Sequence, residues 1–396
     1  MNTRKIPTKS PINGQVHLPG SKSYSNRALV IGALAEGQTV LRNFLFCDDT
    51  RHLLACLQAC GAGVELGETE VRLTGGLSRM RAPQAKLDLG DSGTGARLLI
   101  SLAVMIEGTS MITGSQRLLQ RPMAPLVEAL KQLGARIDYL GEIGYLPLKI
   151  EGGYLAGGSC RLDGQISSQF ISSLLLAAPY AKQDVKVKVS GEQTSKPYID
   201  ITRDIMQSFG LITVNHDYQE YQIPVGSVYI PRQYAIEADA SSASYFMALA
   251  AVSGGQIRIN GINPDSVQGD IGLAAVLEQM GCQVERGEDW LSIEGVDKLQ
   301  PITIDLNQMP DLVPTLAVVC ALADGQSEIN NVGNLRLKEC DRLSALAQEL
   351  VKVGCQVNES RESLTIIPGK LRGARIETYH DHRIAMAFAV LGTQVE

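Results

Sequence analysis

No apolar run in this chain approaches the roughly 18 residues that a membrane-spanning helix needs, so its hydrophobic segments belong to a core. Residues 1–15 carry neither an apolar signal segment nor an Arg- and Ser-rich transit pattern, so a cytoplasmic location is expected. A basic excess is missing as well. Lys and Arg number 36 against 42 Asp and Glu, a net charge of −6, which argues against a general nucleic-acid binder. The eight cysteines form no Cys-x-x-Cys pair, and free thiols in a reducing compartment are the expected state. Residues 20–23 (GSKS) fall short of a phosphate loop, because Ser21 separates Gly20 from Lys22 and the upstream glycine is absent. Residues 90–94 (GDSGT) lack the last glycine of a nucleophile elbow. His380 and His382 have no further Cys or His nearby, so neither metal nor cofactor is expected.

What the chain has instead is repetition. Five amphipathic segments run through a glycine (Gly61, Gly134, Gly210, Gly281, Gly354) into a short alternating strand, about every 70 residues. A second helix type recurs six times, at 28–35, 96–106, 170–178, 245–252, 315–323 and 384–391. Each is apolar nearly all round and is expected to be buried. Most are followed by strand-like stretches, such as 38–43, 109–113, 185–189, 256–260 and 326–330. A unit of that size cannot comfortably bury its own apolar faces, so six units are expected to share cores as two domains of three. The chain is expected to cross between them twice, giving one domain from 1–17 plus 238–396, with its last unit incomplete, and another from 18–237.

The starts of the buried helices are polar: 23–27 (SYSNR), 91–95 (DSGTG), 167–169 (SSQ), 239–242 (DASS), 309–311 (MPD) and 380–383 (HDHR). Hydroxyls, carboxylates and glycines suit N-caps. Pseudo-symmetric helices that turned their amino ends one way would gather positive dipole ends for a multiply charged anion. The first of these starts adds Lys22 and Arg27 to the helix end. The densest ionisable cluster is 334–342 (NLRLKECDR), just ahead of a helix at 343–351. Asp311 sits in the apolar setting MPDL, where desolvation favours its protonated form and nearby cations its ionised form. A base beside acidic and cationic partners is what proton transfer requires.

Taken in order, 18–27 (LPGSKSYSNR), 167–169 (SSQ), 195–198 (SKPY), 239–246 (DASSASYF), 338–342 (KECDR) and 381–383 (DHR) resemble the EPSP synthase family of enolpyruvyl transferases. The similarity runs from about residue 10 to residue 396. The resemblance implies an α/β (α+β) fold, a two-domain inside-out α/β barrel. Each domain would be built from three βαβαββ repeats, with a cleft between the domains. It also implies transfer of the enolpyruvyl group of phosphoenolpyruvate to the 5-hydroxyl of shikimate 3-phosphate by addition and elimination. Phosphate is released, with no metal and no covalent enzyme intermediate.

Carried over position by position, the resemblance implies that shikimate 3-phosphate is bound by Lys22, Ser23, Arg27, Ser167, Ser168, Gln169, Ser195, Tyr198, Asp311, Asn334 and Lys338. Phosphoenolpyruvate would be held by Lys22, the backbone at Gly93, Arg121, Gln169, Arg342 and Arg383. Asp311 is the expected base for the 5-hydroxyl, Lys338 its proton shuttle, and Glu339 the acid that protonates the methylene carbon. Glyphosate is an expected competitor of phosphoenolpyruvate, a monomer is the expected state, and neither nucleic acid nor membrane is an expected partner. Asp91 departs from the family's usual asparagine and Leu335 from a common aromatic. Family members also continue with a strand and a short helix bearing a lysine that contacts phosphoenolpyruvate. Lacking that lysine, the chain could instead be expected to be a weakly active or non-catalytic anion binder. The sister transferase acting on UDP-N-acetylglucosamine is the nearer alternative. It carries Lys-Asn where this chain has Lys22 and Ser23, and it has a reactive cysteine in its second unit, whereas no cysteine lies between Cys60 and Cys160 here.

Overall fold

The structure, a computed structural model, describes residues 3–396. Eleven helices form among them: α1 Lys22–Leu34, α2 Asp48–Ala59, α3 Gly93–Met105, α4 Ala124–Gln132, α5 Ser168–Ala177, α6 Lys196–Ser208, α7 Ala240–Ser253, α8 Leu273–Gln279, α9 Val313–Cys320, α10 Arg342–Lys352 and α11 His382–Gly392. The chain divides into two compact units, Pro19–Glu237 and Met1–Leu18 with Ala238–Glu396.

In the Pro19–Glu237 unit, α1, α3 and α5 are the apolar helices, and their side chains are buried almost throughout. The helices between them, α2, α4 and α6, are amphipathic and bury one face. Three four-stranded sheets cover this core. Their common plan is visible in Leu87–Asp88, Gly108–Thr113, Leu148–Gly152 and Arg136–Tyr139, listed in spatial order. The first pair is parallel and the rest antiparallel, which in chain order is one βαβαββ unit. The sheet around Gly37–Arg42 is completed by Gln233–Ala235, whose Gln233 lies opposite Val40, so the end of this unit closes onto its beginning.

The other unit repeats the plan with α7, α9 and α11 as inner helices. Here Gly14–His17 supplies the first strand, parallel to Gln256–Asn260, and so ties the amino-terminal segment into this unit. A second sheet contains Thr303–Asp305, Ser327–Asn330, Leu364–Ile367 and Gln356–Glu359. The described residues therefore contain six inner helices but five sheets, each with its own edges and none closed into a barrel. Helix α11 has no sheet following it, and Met386 on it is exposed.

The glycines at the helix-to-strand turns all take left-handed φ: +100° at Gly61, +91° at Gly134, +88° at Gly210, +104° at Gly281 and +107° at Gly354. A Cβ is disfavoured in that conformation, which is why the repeat is visible as a glycine period. All eight cysteines are free, six of them buried. Among the described residues no helix is long and apolar enough to cross a membrane.

Candidate functional site

Within the Pro19–Glu237 unit, polar residues collect at helix starts. Helix α1 begins at Lys22, earlier than its apolar run suggests, so Ser23 to Arg27 lie inside its first turns. Lys22 Nζ is 3.2 Å from the Asp49 carboxylate, a partner the sequence did not reveal. Arg27 is fully buried. Its Nε donates to Thr202 Oγ1 at 2.7 Å, Nη1 to the Ser23 carbonyl at 3.0 Å, and Nη2 to Ser172 Oγ at 3.0 Å and the Tyr198 carbonyl at 2.9 Å. Every one of these acceptors is neutral. Burial pulls its pKa down to about 10, which still leaves the guanidinium charged at neutral pH. Arg27 thus fixes Ser23 and Tyr198 while adding positive potential beneath them.

Ser195 stands directly before α6 with φ +56°, left-handed for a non-glycine residue, a cost tolerated where surrounding structure over-determines it. Ser167 caps α5 by accepting from Gln169 N at 3.3 Å, and Ser168 is buried beside it. Gln169 Oε1 accepts from Arg97 Nη1, and the Arg97 guanidinium lies 4.9 Å from the Phe170 ring centroid. Arg97 also reaches the Pro122 carbonyl at 3.5 Å. No motif pointed to Arg97, because its partners come from two distant segments. At α3, Ser92 caps by accepting from Gly95 N at 3.1 Å. A Cβ on Gly93 would lie 2.4 Å from Arg121 Nη1, so the buried Arg121 guanidinium rests on a surface that only glycine provides. Asp91 accepts from the Ser115 hydroxyl.

Within the other unit, charged side chains converge on Asp311, which lies in the 3-10 turn Pro310–Leu312 ahead of α9. Its Oδ1 is 3.4 Å from Lys338 Nζ and 3.1 Å from Arg342 Nη1, and its Oδ2 is 2.8 Å from Arg383 Nη2. Arg342, the first residue of α10, is buried. Its Nε lies 2.8 Å from Asp381 and its Nη2 2.7 Å from Glu339. Burial alone would lower the Arg342 pKa, but Glu339, Asp381 and Asp311 carry it above its ordinary value. Asp381 caps α11 by accepting from Arg383 N at 2.8 Å. Asn334 lies in the 3-10 turn Gly333–Leu337, which delivers Lys338 and Glu339 to this cluster, and Leu335 is buried in that turn. The turn is itself pinned by Arg336, which pairs with Asp341 at 2.8 Å and Glu359 at 2.7 Å.

The sequence-predicted residues therefore form two sets. Lys22, Ser23, Arg27, Gly93, Arg121, Ser167, Ser168, Gln169, Ser195 and Tyr198 belong to the Pro19–Glu237 unit, and Asp311, Asn334, Lys338, Glu339, Arg342 and Arg383 to the other. The first set is cationic and rich in hydroxyls, suited to holding phosphate. The second brings two carboxylates, joined by Asp381, together with three cations, suited to moving protons next to an anion. Among the described residues no group of three or more His, Cys, Asp and Glu side chains is arranged to hold a metal ion.

The family model described as EPSP synthase (3-phosphoshikimate 1-carboxyvinyltransferase) matches residues 6–396. The chain is 45% identical over 397 residues to the 3-phosphoshikimate 1-carboxyvinyltransferase of Sulfurovum sp. (strain NBC37-1), covering 99% of this chain and 92% of that protein. It is 47% identical over 385 residues to the protein of that name from Vibrio vulnificus (strain YJ016), covering 96% and 90%. In three dimensions it is similar to the EPSP synthase of Acinetobacter baumannii, with a TM-score of 0.82 and 28% identity, covering 99% of this chain and 92% of that one.

Proposed function

Because the chain belongs to the EPSP synthase family, we propose that its two residue sets divide one reaction between them, the first binding substrate anions and the second both binding them and transferring protons. The reaction is transfer of the enolpyruvyl group of phosphoenolpyruvate to the 5-hydroxyl of shikimate 3-phosphate, with release of phosphate, a step toward aromatic amino acids. The observation that carries the division is Asp311, a carboxylate held by Lys338, Arg342 and Arg383 at 3.4, 3.1 and 2.8 Å.

Asp311 takes the proton of the 5-hydroxyl, and Lys338 passes that proton on. The oxygen forms its bond to C2 of phosphoenolpyruvate while Glu339 delivers a proton to the methylene carbon, giving a tetrahedral adduct. The Glu339 carboxylate then takes a proton back from the new methyl group as the C–O bond to phosphate breaks, which restores the double bond, and the proton relayed by Lys338 goes to the leaving phosphate. Lys22, Ser23, Arg27, Ser167, Ser168, Gln169, Ser195, Tyr198, Asn334 and Lys338 hold shikimate 3-phosphate. Lys22, Gly93 N–H, Arg121, Gln169, Arg342 and Arg383 hold phosphoenolpyruvate, where planar guanidinium forks suit carboxylate and phosphate oxygens. Glyphosate, a small anion, competes with phosphoenolpyruvate, and the protein acts as a cytoplasmic monomer.

The test is turnover. Mixing the protein with shikimate 3-phosphate and phosphoenolpyruvate should release inorganic phosphate only when both are present. Release without shikimate 3-phosphate, or none at all, overturns the proposal.

A further inference from the structure

One buried carboxylate has no part in the chemistry above. Asp270 sits in the 3-10 turn Gly269–Gly272 with 3% of its surface exposed, and its Oδ1 has no hydrogen-bond partner. Its other oxygen accepts from the hydroxyl of Ser241 near the start of α7. That same Ser241 oxygen lies 3.4 Å from Arg383 Nη2, the nitrogen that is 2.8 Å from Asp311 Oδ2. Arg383 Nη1 additionally reaches the Asp311 carbonyl at 3.3 Å. The turn is fastened to the start of α7 by Gln268, whose side chain donates to the Ala238 carbonyl at 2.7 Å and accepts from Ala240 N at 3.2 Å.

A serine hydroxyl has one hydrogen and two lone pairs, so what it donates to determines where its lone pairs point. With its hydrogen directed at Asp270, Ser241 is left with only acceptor capacity toward Arg383. We infer that Asp270 and Ser241 are a pair of positioning residues that hold the Arg383 guanidinium in the orientation in which it meets Asp311 and the substrate anion. The inference rests on the reading of Arg383 as a phosphoenolpyruvate ligand.

The charge environment agrees. Burial pushes the Asp270 carboxyl up to about 6, against the pull of Arg383 and with Asp311 and Asp239 adding to the rise. Above neutral pH it is ionised and can only accept. An Asp270 that served the fold alone would have no need of a serine placed between it and a guanidinium.

Steady-state kinetics of the full chain test the idea. Ser241→Ala removes one hydroxyl and leaves the helix intact. It should raise the KM for phosphoenolpyruvate about tenfold, as for a lost bond to a charged group, with kcat within about twofold. Ser241→Thr, which keeps the hydroxyl, should restore the KM. Asp270→Ala should reproduce the Ser241→Ala effect, and the double variant should be no worse than either single one, because the two act as one unit. Should Asp270→Ala fold poorly, the Ala and Thr variants of Ser241 still decide the matter. Arg383→Lys separates the two ideas. If it raises the KM while Ser241→Ala does not, this inference fails alone. If Arg383→Lys leaves the KM unchanged, the assignment of Arg383 fails and takes the inference with it.

Discussion

Arg342 and Asp381 form a buried ion pair, Nε to carboxylate at 2.8 Å, with neither side chain more than 1% exposed. The pair joins the start of α10 to the cap of α11. Burial raises the pKa of Asp381, but the charge and hydrogen bond of Arg342 outweigh it, and the carboxyl titrates below its ordinary value of 3.8. A depressed pKa in the folded state means that the pair's stabilisation is complete above the unfolded value and is lost as pH falls through the folded one. Asp381→Asn should therefore cost about 3 kcal/mol at neutral pH, since it leaves a buried guanidinium short of its partner. The deficit should narrow below about pH 4. Urea unfolding at neutral and acid pH checks this, and an equal deficit at both would show that the carboxylate charge is not what stabilises.

Gly93 and Arg121 make a second tight relationship. A methyl group at Gly93 would sit 2.4 Å from Nη1 and 2.5 Å from Cζ of Arg121. The guanidinium is the movable end of a long side chain, so Gly93→Ala should fold normally and displace Arg121. We expect the KM for phosphoenolpyruvate to rise by about tenfold, the scale of one misplaced methyl group, and inhibition by glyphosate to weaken by a larger factor. Competitive inhibition measured alongside KM separates the two effects. If glyphosate inhibition stays as strong as in the unsubstituted protein, the space above Gly93 is not where the inhibitor lies.

The repeat was legible because its marks are local. A left-handed turn selects glycine, so Gly61, Gly134, Gly210, Gly281 and Gly354 announce their helix ends in the sequence itself. The buried helices were legible because an apolar surface all round has no other stable place. What could not be read depends on contacts between distant segments. The Gln233–Ala235 strand beside Gly37–Arg42, the Asp49 partner of Lys22 and the Arg97 link to Gln169 have no local periodicity. Ser195, Tyr379 and His380 adopt φ of +56°, +53° and +53° without being glycine, so local preference pointed away from them. All three lie at or just before starts of α6 and α11, where local rules give way to the demands of a site.

Arg27 offers a third test, since its nitrogens satisfy Thr202, Ser172 and two carbonyls at once. Lysine keeps the charge but cannot reach all of these acceptors from one nitrogen. Arg27→Lys should lower stability by about 2 kcal/mol, the cost of leaving buried acceptors unmade. It should also raise the Kd for shikimate 3-phosphate, because Ser23 and the Tyr198 backbone lose their common anchor. Thermal unfolding and calorimetric titration report the two effects separately. A variant with reduced stability but unchanged affinity would confine Arg27 to a structural role.

Asp311 is the most direct test of the chemistry. Asparagine keeps the size of the side chain and one carbonyl oxygen for Lys338, Arg342 or Arg383, but it cannot take a proton from the 5-hydroxyl. Asp311→Asn should therefore lower kcat by about 10² to 10⁴, the usual weight of a positioned base, while the Kd for shikimate 3-phosphate changes only a few-fold. Lys338→Met should lower kcat less, since it removes the relay and leaves the acceptor. Phosphate release measured at saturating concentrations of both substrates distinguishes these outcomes from a binding defect. Glu339, tied to Arg342 at 2.7 Å, is the competing candidate for this proton. If Asp311→Asn keeps more than about a tenth of the normal kcat while Glu339→Gln abolishes turnover, the hydroxyl proton goes to Glu339, and Asp311 serves only to hold the three cations together.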